Sequence, residues 1–266
     1  YADFGIGQFN AVMTSLGFSI EMSFLELALP IGISFYTFQT ISYTVDIYRG
    51  QLTPCKSLRE FAIFVSFFPQ LVAGPILRAK YFLPQLREKI EKFKSVDTIR
   101  QIRLQDSNVK FGVTLMAFGF FKKMFIADNV APLVDSIFAN PIGLESFTII
   151  LGTIAFGIQI YADFSGYSDI AIGAAMILGF KIPLNFNKPY FAISPSDFWR
   201  RWHISLSSWL RDYLYIPLGG NKKSINRTYL NLFVVMFLGG LWHGASWNFV
   251  IWGMLHGLYL AIHKII

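Results

Sequence analysis

The sequence predicts an all-α, polytopic membrane protein. Of its 266 residues, 54% are hydrophobic and only 15% are charged, whereas a soluble domain carries about 25% charged residues. The mean hydropathy is +0.47. The apolar residues also gather into runs long enough to cross the roughly 30 Å of hydrocarbon in a bilayer. A soluble α-protein would need unusually long apolar helices to match this pattern.

Residues 24–45, FLELALPIGISFYTFQTISYTV, predict the first span, kinked near its start by Pro30 and Gly32. Residues 61–77 are apolar but short, and Pro69, Gly74 and Pro75 break them, so a broken span and a re-entrant hairpin both fit. Residues 80–107 are polar and predict a cytoplasmic connection that is partly amphipathic helix. Residues 109–127 predict a second span, with Lys122 and Lys123 near its far end. Residues 147–180 read as one long or two short apolar helices, interrupted at YADFSGYSD. Residues 229–243 and 246–263 predict a final helical pair around His243. No repeat, low-complexity run or linker divides the chain, so 1–266 reads as a single membrane domain. Because it opens on Tyr1 rather than Met, it reads as the core of a longer chain.

The net charge is +7, unevenly placed. Residues 78–110 hold nine Lys/Arg against four Asp/Glu, and 181–228 hold eight against two. Residues 124–180 hold none, with acids at Asp128, Asp135, Glu145, Asp163 and Asp169. The positive-inside bias assigns the two basic loops to the cytoplasm and 128–146 to the opposite side; Lys122 and Lys123 oppose that assignment. The basic loops flank apolar spans and lack a nucleic-acid motif, so no nucleic-acid partner is expected. Cys55 is the single cysteine, which excludes an intrachain disulfide and a thiolate zinc site. There is no HExxH, and the histidines are far apart in sequence, so no metal is expected. A serine hydrolase is disfavoured by the lack of a G-x-S-x-G elbow.

Three segments break the apolar pattern, and ionisable groups in a membrane usually face the bundle interior or a wet cavity. In YADFSGYSDIAIG, Asp163 and Asp169 lie among Tyr161, Ser165, Tyr167 and Ser168. This segment either lines a buried channel or marks a helix break at Gly166 satisfied by those side chains; a proton or ion site made by the two carboxylates is a third reading. In SPSDFWRRWHISLSSWLRDYLYIPLGG, Ser194 or Ser196 caps a helix and Asp197 complements its positive end. Phe198, Trp202, Leu206, Trp209 and Tyr213 then recur at helical spacing, predicting one amphipathic interfacial helix that ends at 218–221. It is either an anchor with an incidental His203 or a cytoplasmic surface that receives an acyl donor or a partner, with Arg200, Arg201, Lys222 and Lys223 drawing a phosphate. In GGLWHGASWNFVIWGMLHG, glycines loosen the helix around His243, and Trp242 and Trp247 flank it. A neutral imidazole away from bulk water takes a proton from a hydroxyl; the alternative is a packing histidine bonded to a carbonyl. His256, between Gly253 and Gly257, reads as a close helix contact.

Taken together, SPSDFWRRWHISLSSWLRDYLYIPLGGNKKS and FLGGLWHGASWNFVIWGMLHG resemble the membrane-bound O-acyltransferase family, in its bacterial polysaccharide branch. LPIGISFYTFQTISYTVDIYRG, FPQLVAGPILRAKYFLPQL and YADFSGYSDIAIGAAMILGF extend the likeness over essentially the whole chain. The resemblance implies a ring of tilted transmembrane helices, with re-entrant and interfacial helices, around a funnel in the bacterial inner membrane. It implies that His243 matches the family's catalytic histidine and that His203 matches its second signature position, where many relatives carry Asn. Trp202, Arg200, Arg201, Trp242, Asn248 and Asp163 are the expected substrate-binding residues. No cofactor is expected to be bound; an acyl thioester, as acetyl-CoA or an acyl carrier, is the expected cosubstrate. The resemblance further implies a polysaccharide acceptor such as alginate and a periplasmic acetyltransferase partner. D-alanyl transfer to a cell-envelope polymer and proton-coupled transport are the competing readings.

Overall fold

The computed structural model describes residues 1–27, 32–71, 73–94 and 106–265, with the backbone only at 92–94. Pro30 and residues 95–105, given a kink and part of a connection by the sequence, lie outside the described residues. Every regular element among the described residues is helical. The chain divides into two compact units, one of Ser34–Lys188 with Arg201–Leu206, the other of Tyr1–Ile33, Pro189–Arg200 and Ser207–Ile266.

The larger unit begins in α2 (Ile33–Tyr48), which follows α1 (Ala2–Ser15) of the other unit. Helix α2 starts later than the apolar run suggested, because Gly32 sits at φ +79°, outside the right-handed helical region. Its inner face is polar: Gln39, Ser42 and Asp46, spaced for one side of a helix, are all buried. Helix α3 (Leu58–Val65) is N-capped by Ser57, whose Oγ accepts from the Glu60 N–H at 3.2 Å, and Glu60 Oε2 reaches back to accept from the Lys56 N–H at 3.1 Å. At eight residues it rises about 12 Å, too little to cross a bilayer, and a single 3₁₀ turn follows at Phe68–Gln70. The segment 61–77 is thus interrupted, as its prolines and glycine predict. Helix α4 (Ala79–Lys94) packs Phe82, Leu83 and Leu86 into an aromatic core with Phe64, Phe67 and Phe180; Phe82 and Phe180 stack at 4.9 Å.

Helix α5 (Asp106–Phe120), a π-helical stretch (Phe121–Ala127) and α6 (Asp128–Ala139) form one continuous rod. The Asn129 side chain donates to the Met124 and Phe125 carbonyls, at 3.1 and 2.9 Å, which occupies acceptors in the widened turn. Antiparallel to the rod runs α7 (Ser146–Ile177), 32 residues long, or about 48 Å. Among the described residues it is the helix long and apolar enough to cross a membrane, and only 11% of its apolar window is buried. A core helix of a soluble protein would be mostly covered; this one turns Phe147, Ile150, Leu151, Ile154 and Ile158 outward.

Helix α7 does not break at YADFSGYSD. Two glycine contacts, Gly112 with Gly173 and Gly119 with Gly166, bring α5 and α7 together; a Cβ on Gly119 would lie 2.6 Å from the Gly166 carbonyl oxygen. The seven-residue spacing on each helix repeats the contact every two turns, the small-residue packing of membrane helices. The polar residues on either side of Gly166 find partners without opening the helix. Lys122 pairs with Asp169, and Lys123 bridges Asp163 at 2.7 Å and Asp128 at 2.8 Å. The two lysines that oppose the charge-based topology therefore lie within a continuous helical rod and are ion-paired to α7 and α6.

In the other unit, α1 is lined by the extended stretch that follows it: Asp3 accepts from the Leu25 and Glu26 N–H groups, and Asn10 pairs twice with Met22 at 2.9 Å. Helices α10 (Ile225–His243) and α11 (Trp247–Ile262) form the expected helical pair, running antiparallel. Gly240 meets Gly253 and Gly257 meets Phe233, so the backbones touch along one face. Buried Asn231 donates to the Gly220 carbonyl at 3.0 Å, fastening the 218–221 turn to α10.

Between these elements the expected single amphipathic helix is two short ones, α8 (Pro195–Arg201) and α9 (Ile204–Leu210), continued by a π turn at Arg211–Tyr215. The break falls at His203, whose φ is +43°. The periodicity of the large side chains survives a one-residue left-handed interruption, so it could not reveal one.

Candidate active site

Each unit presents one of the two singled-out histidines. His243 is the last residue of α10, where the chain leaves the helix through extended Gly244, and Ser246 caps α11 by accepting from the Asn248 N–H at 3.3 Å. Its ring stands 4.9 Å from Trp242, 6.1 Å from Phe249 and edge-on to Trp252 at 5.1 Å. The turn is anchored to α1: Tyr1 donates to the Trp242 carbonyl at 2.6 Å and Trp247 Nε1 donates to Gln8 Oε1 at 3.1 Å. His243 is exposed at this helix end. Asn248 is exposed on the first turn of α11.

A second imidazole continues the aromatic wall. Trp252 stands between His243 and His256, 4.5 Å from the latter, and Trp199 lies 5.1 Å from His256. The sequence predicted the close glycine contact around His256 but not this relay of rings, which needs α8 and α11 in register. Arg200, on α8, is mostly exposed and lies 3.9 Å from Asp197. The Asp197 N–H donates to Ser194 Oγ at 3.1 Å, so Ser194 is the capping residue. Lys222 and Lys223 are exposed.

His203 is in the larger unit and only 2% exposed. Its ring meets Phe164 of α7 edge-on at 4.6 Å. Neighbouring Trp202 packs on Phe186 at 5.0 Å and near Tyr161 at 6.2 Å. An interfacial helix would have left His203 at a wet surface; the left-handed turn directs it inward. Histidine is among the residue types that tolerate this backbone region. Arg201 is half-buried, and its carbonyl accepts from the Asn187 N–H at 2.9 Å. Asp163 is half-buried and held by Lys123. Within this unit the structure brings together His203, Trp202 and Arg201, with Asp163 on the same helix as Phe164. Among the described residues no group of three or more His, Cys, Asp or Glu side chains converges as a metal site would require.

The model of the membrane-bound O-acyltransferase family matches residues 48–266, which takes in both histidines and the aromatic wall. The chain belongs to that family. It is a membrane protein, consistent with the uncovered apolar face of α7. It is 46% identical over 269 residues to a probable alginate O-acetylase of Azotobacter vinelandii, covering 99% of this chain and 50% of the relative. A probable alginate O-acetylase of Pseudomonas aeruginosa is 48% identical over 266 residues, with 99% and 48% covered. A peptidoglycan O-acetyltransferase of Helicobacter pylori is 38% identical over 288 residues, with 99% and 52% covered. The chain therefore spans about half the length of the curated relatives it matches.

Proposed function

We propose that this chain forms the core of a membrane O-acyltransferase that moves an acetyl group from an activated cytoplasmic donor to a hydroxyl of an exported polysaccharide such as alginate, directly or through a periplasmic partner. In this reading its helices take up the family's ring around a funnel in the inner membrane. The observation that supports it is the placement of His243: a ring braced by Trp242, Phe249 and Trp252 but open on one side, at the end of a helix.

The chemistry follows from an imidazole so held. Neutral His243 removes the proton from the acceptor hydroxyl as its oxygen attacks the carbonyl of an acyl thioester. The tetrahedral oxyanion collapses to the new ester and expels the thiolate, which recovers the proton from the imidazolium. General-base assistance contributes about 10²–10⁴-fold, and donors aimed at the oxyanion add to it. We assign that second role to His203, with Trp202 beside it. Arg200 and Arg201 serve the donor's phosphates, and Trp242, Asn248 and Asp163 the substrate path. Transport is disfavoured because Asp163 and Asp169, the carboxylates it would use, are each salt-bridged to a lysine.

Mass spectrometry of the cell-surface polymer tests the proposal. Cells carrying His243→Ala as the sole copy, at normal membrane abundance, are expected to lose at least about 100-fold in the rate of ester formation. Normal esterification by that variant refutes the base role. Solute flux without any covalent product would instead favour the transporter.

A further inference from the structure

A buried polar network in the larger unit is centred on Asn185, which the acyl-transfer reading leaves without a role. Its backbone carbonyl accepts from the Ile204 N–H at 2.9 Å. Its Oδ1 accepts from Ser205 Oγ at 2.6 Å and from the Ser205 N–H at 3.4 Å. Its Nδ2 donates to Ser168 Oγ on α7 at 3.1 Å. Ser205 Oγ in turn accepts from the Ile76 N–H at 2.9 Å. Asn185 is 1% exposed, and Ser168 and Ser205 are buried with it.

These bonds bracket one residue. Two positions before His203, the Arg201 carbonyl is held by the Asn187 N–H at 2.9 Å; directly after it, Ile204 and Ser205 are held by Asn185. A non-glycine residue in left-handed backbone persists only where its surroundings over-determine it. Here the 185–187 segment is the splint: Phe186 packs between Trp202 and Phe164 of α7, and the Asn185 side chain hydrogen-bonds both the residues after the turn and α7. We propose that Asn185 is the positioning residue of His203: it fixes the left-handed turn between α8 and α9 and so aims the imidazole. This inference rests on the catalytic role assigned above to His203.

The Asn185 side chain serves both hydroxyls at once, accepting from Ser205 and donating to Ser168. Alanine there removes the acceptor for Ser205 and the donor for Ser168 together, leaving two buried hydroxyls short of a partner. The turn then relaxes, and a misplacement of about 1 Å costs on the order of 100-fold in rate. Aspartate keeps the acceptor for Ser205 and accepts from a rotated Ser168 hydroxyl.

The test is a double-mutant cycle in the full natural chain, expressed as the sole copy at matched membrane abundance, with the initial rate of polymer ester formation read by mass spectrometry. Asn185→Ala is expected to lower the rate about 10–100-fold, Asn185→Asp to recover most of it, and Asn185→Ala to cause no further loss in a His203→Ala background. Multiplying losses in the double variant would overturn the inference, because a residue that supports the fold generally adds its cost whatever stands at 203. A wild-type rate in Asn185→Ala, with His203→Ala impaired, would overturn the inference alone. A wild-type rate in His203→Ala would overturn the assigned role of His203, and the inference with it. Should Asn185→Ala fail to accumulate, Ser205→Ala replaces it in the same cycle, with the same pattern expected.

Discussion

Replacing Lys122 by Met tests whether α5 and α7 are registered by charge as well as by glycine. The Lys122 and Asp169 side chains are 24% and 22% exposed, so the pair is about three-quarters buried. Fully exposed pairs contribute about 0–1 kcal/mol, and removing one partner of a fully buried pair costs about 3–5 kcal/mol. The observed burial puts Lys122→Met between these limits, at about 2–3 kcal/mol, most of it the cost of leaving a largely buried Asp169 without its lysine. Lys122→Met combined with Asp169→Leu removes that stranded charge and should recover most of the loss. Unfolding of the detergent-solubilised protein, followed by tryptophan fluorescence, measures both. If the double variant is no more stable than Lys122→Met, or if Lys122→Met costs nothing, the charge clamp around Gly166 is not a stability element. Lys123 gives an internal contrast. Its partners Asp163 and Asp128 are about half exposed, so Lys123→Met should cost less than Lys122→Met.

Gly119→Val places a branched side chain where even a Cβ lies 2.6 Å from a carbonyl oxygen, so α5 and α7 must separate by about 1 Å; overpacking of this kind costs about 1–3 kcal/mol, and unchanged stability in the same unfolding measurement would refute the close contact. Cys55, in the loop after α2, has its thiol pKa raised by burial, against a smaller lowering by the Tyr43 hydroxyl. Because the thiolate is the reactive form, maleimide labelling of Cys55 should speed up at higher pH than labelling of an exposed cysteine; equal rates near neutrality would contradict this.

Much of the architecture was legible in residue order because it rests on short-range patterns. The α10–α11 pair was visible as two apolar runs around His243, and a serine cap beside Asp197 was visible as Ser194 or Ser196, which the structure resolves to Ser194. The errors share one cause. The sequence of 161–169 contains a glycine and two acids, which alone read as a break; the lysines that neutralise those acids lie about forty residues earlier, on a different helix. The amphipathic period through 198–213 continues across His203, because one left-handed residue barely alters which side chains are apolar. Asn185 stood in the sequence as an unremarked polar residue, its significance visible only with Ser168 and Ser205 around it.

Residue order alone determined the membrane character, the helical class, the approximate extents of α7, α10 and α11, and the two histidines with their aromatic neighbours. These follow from composition and from interactions within a few residues of one another. Only the tertiary structure decided that α7 runs unbroken, that its acids are matched by lysines, that His203 is buried while His243 stays open, and that Asn185 holds the turn between α8 and α9. Each of these depends on which distant groups satisfy a polar atom away from water, and that pairing is set by how helices cross rather than by the order in which they are written.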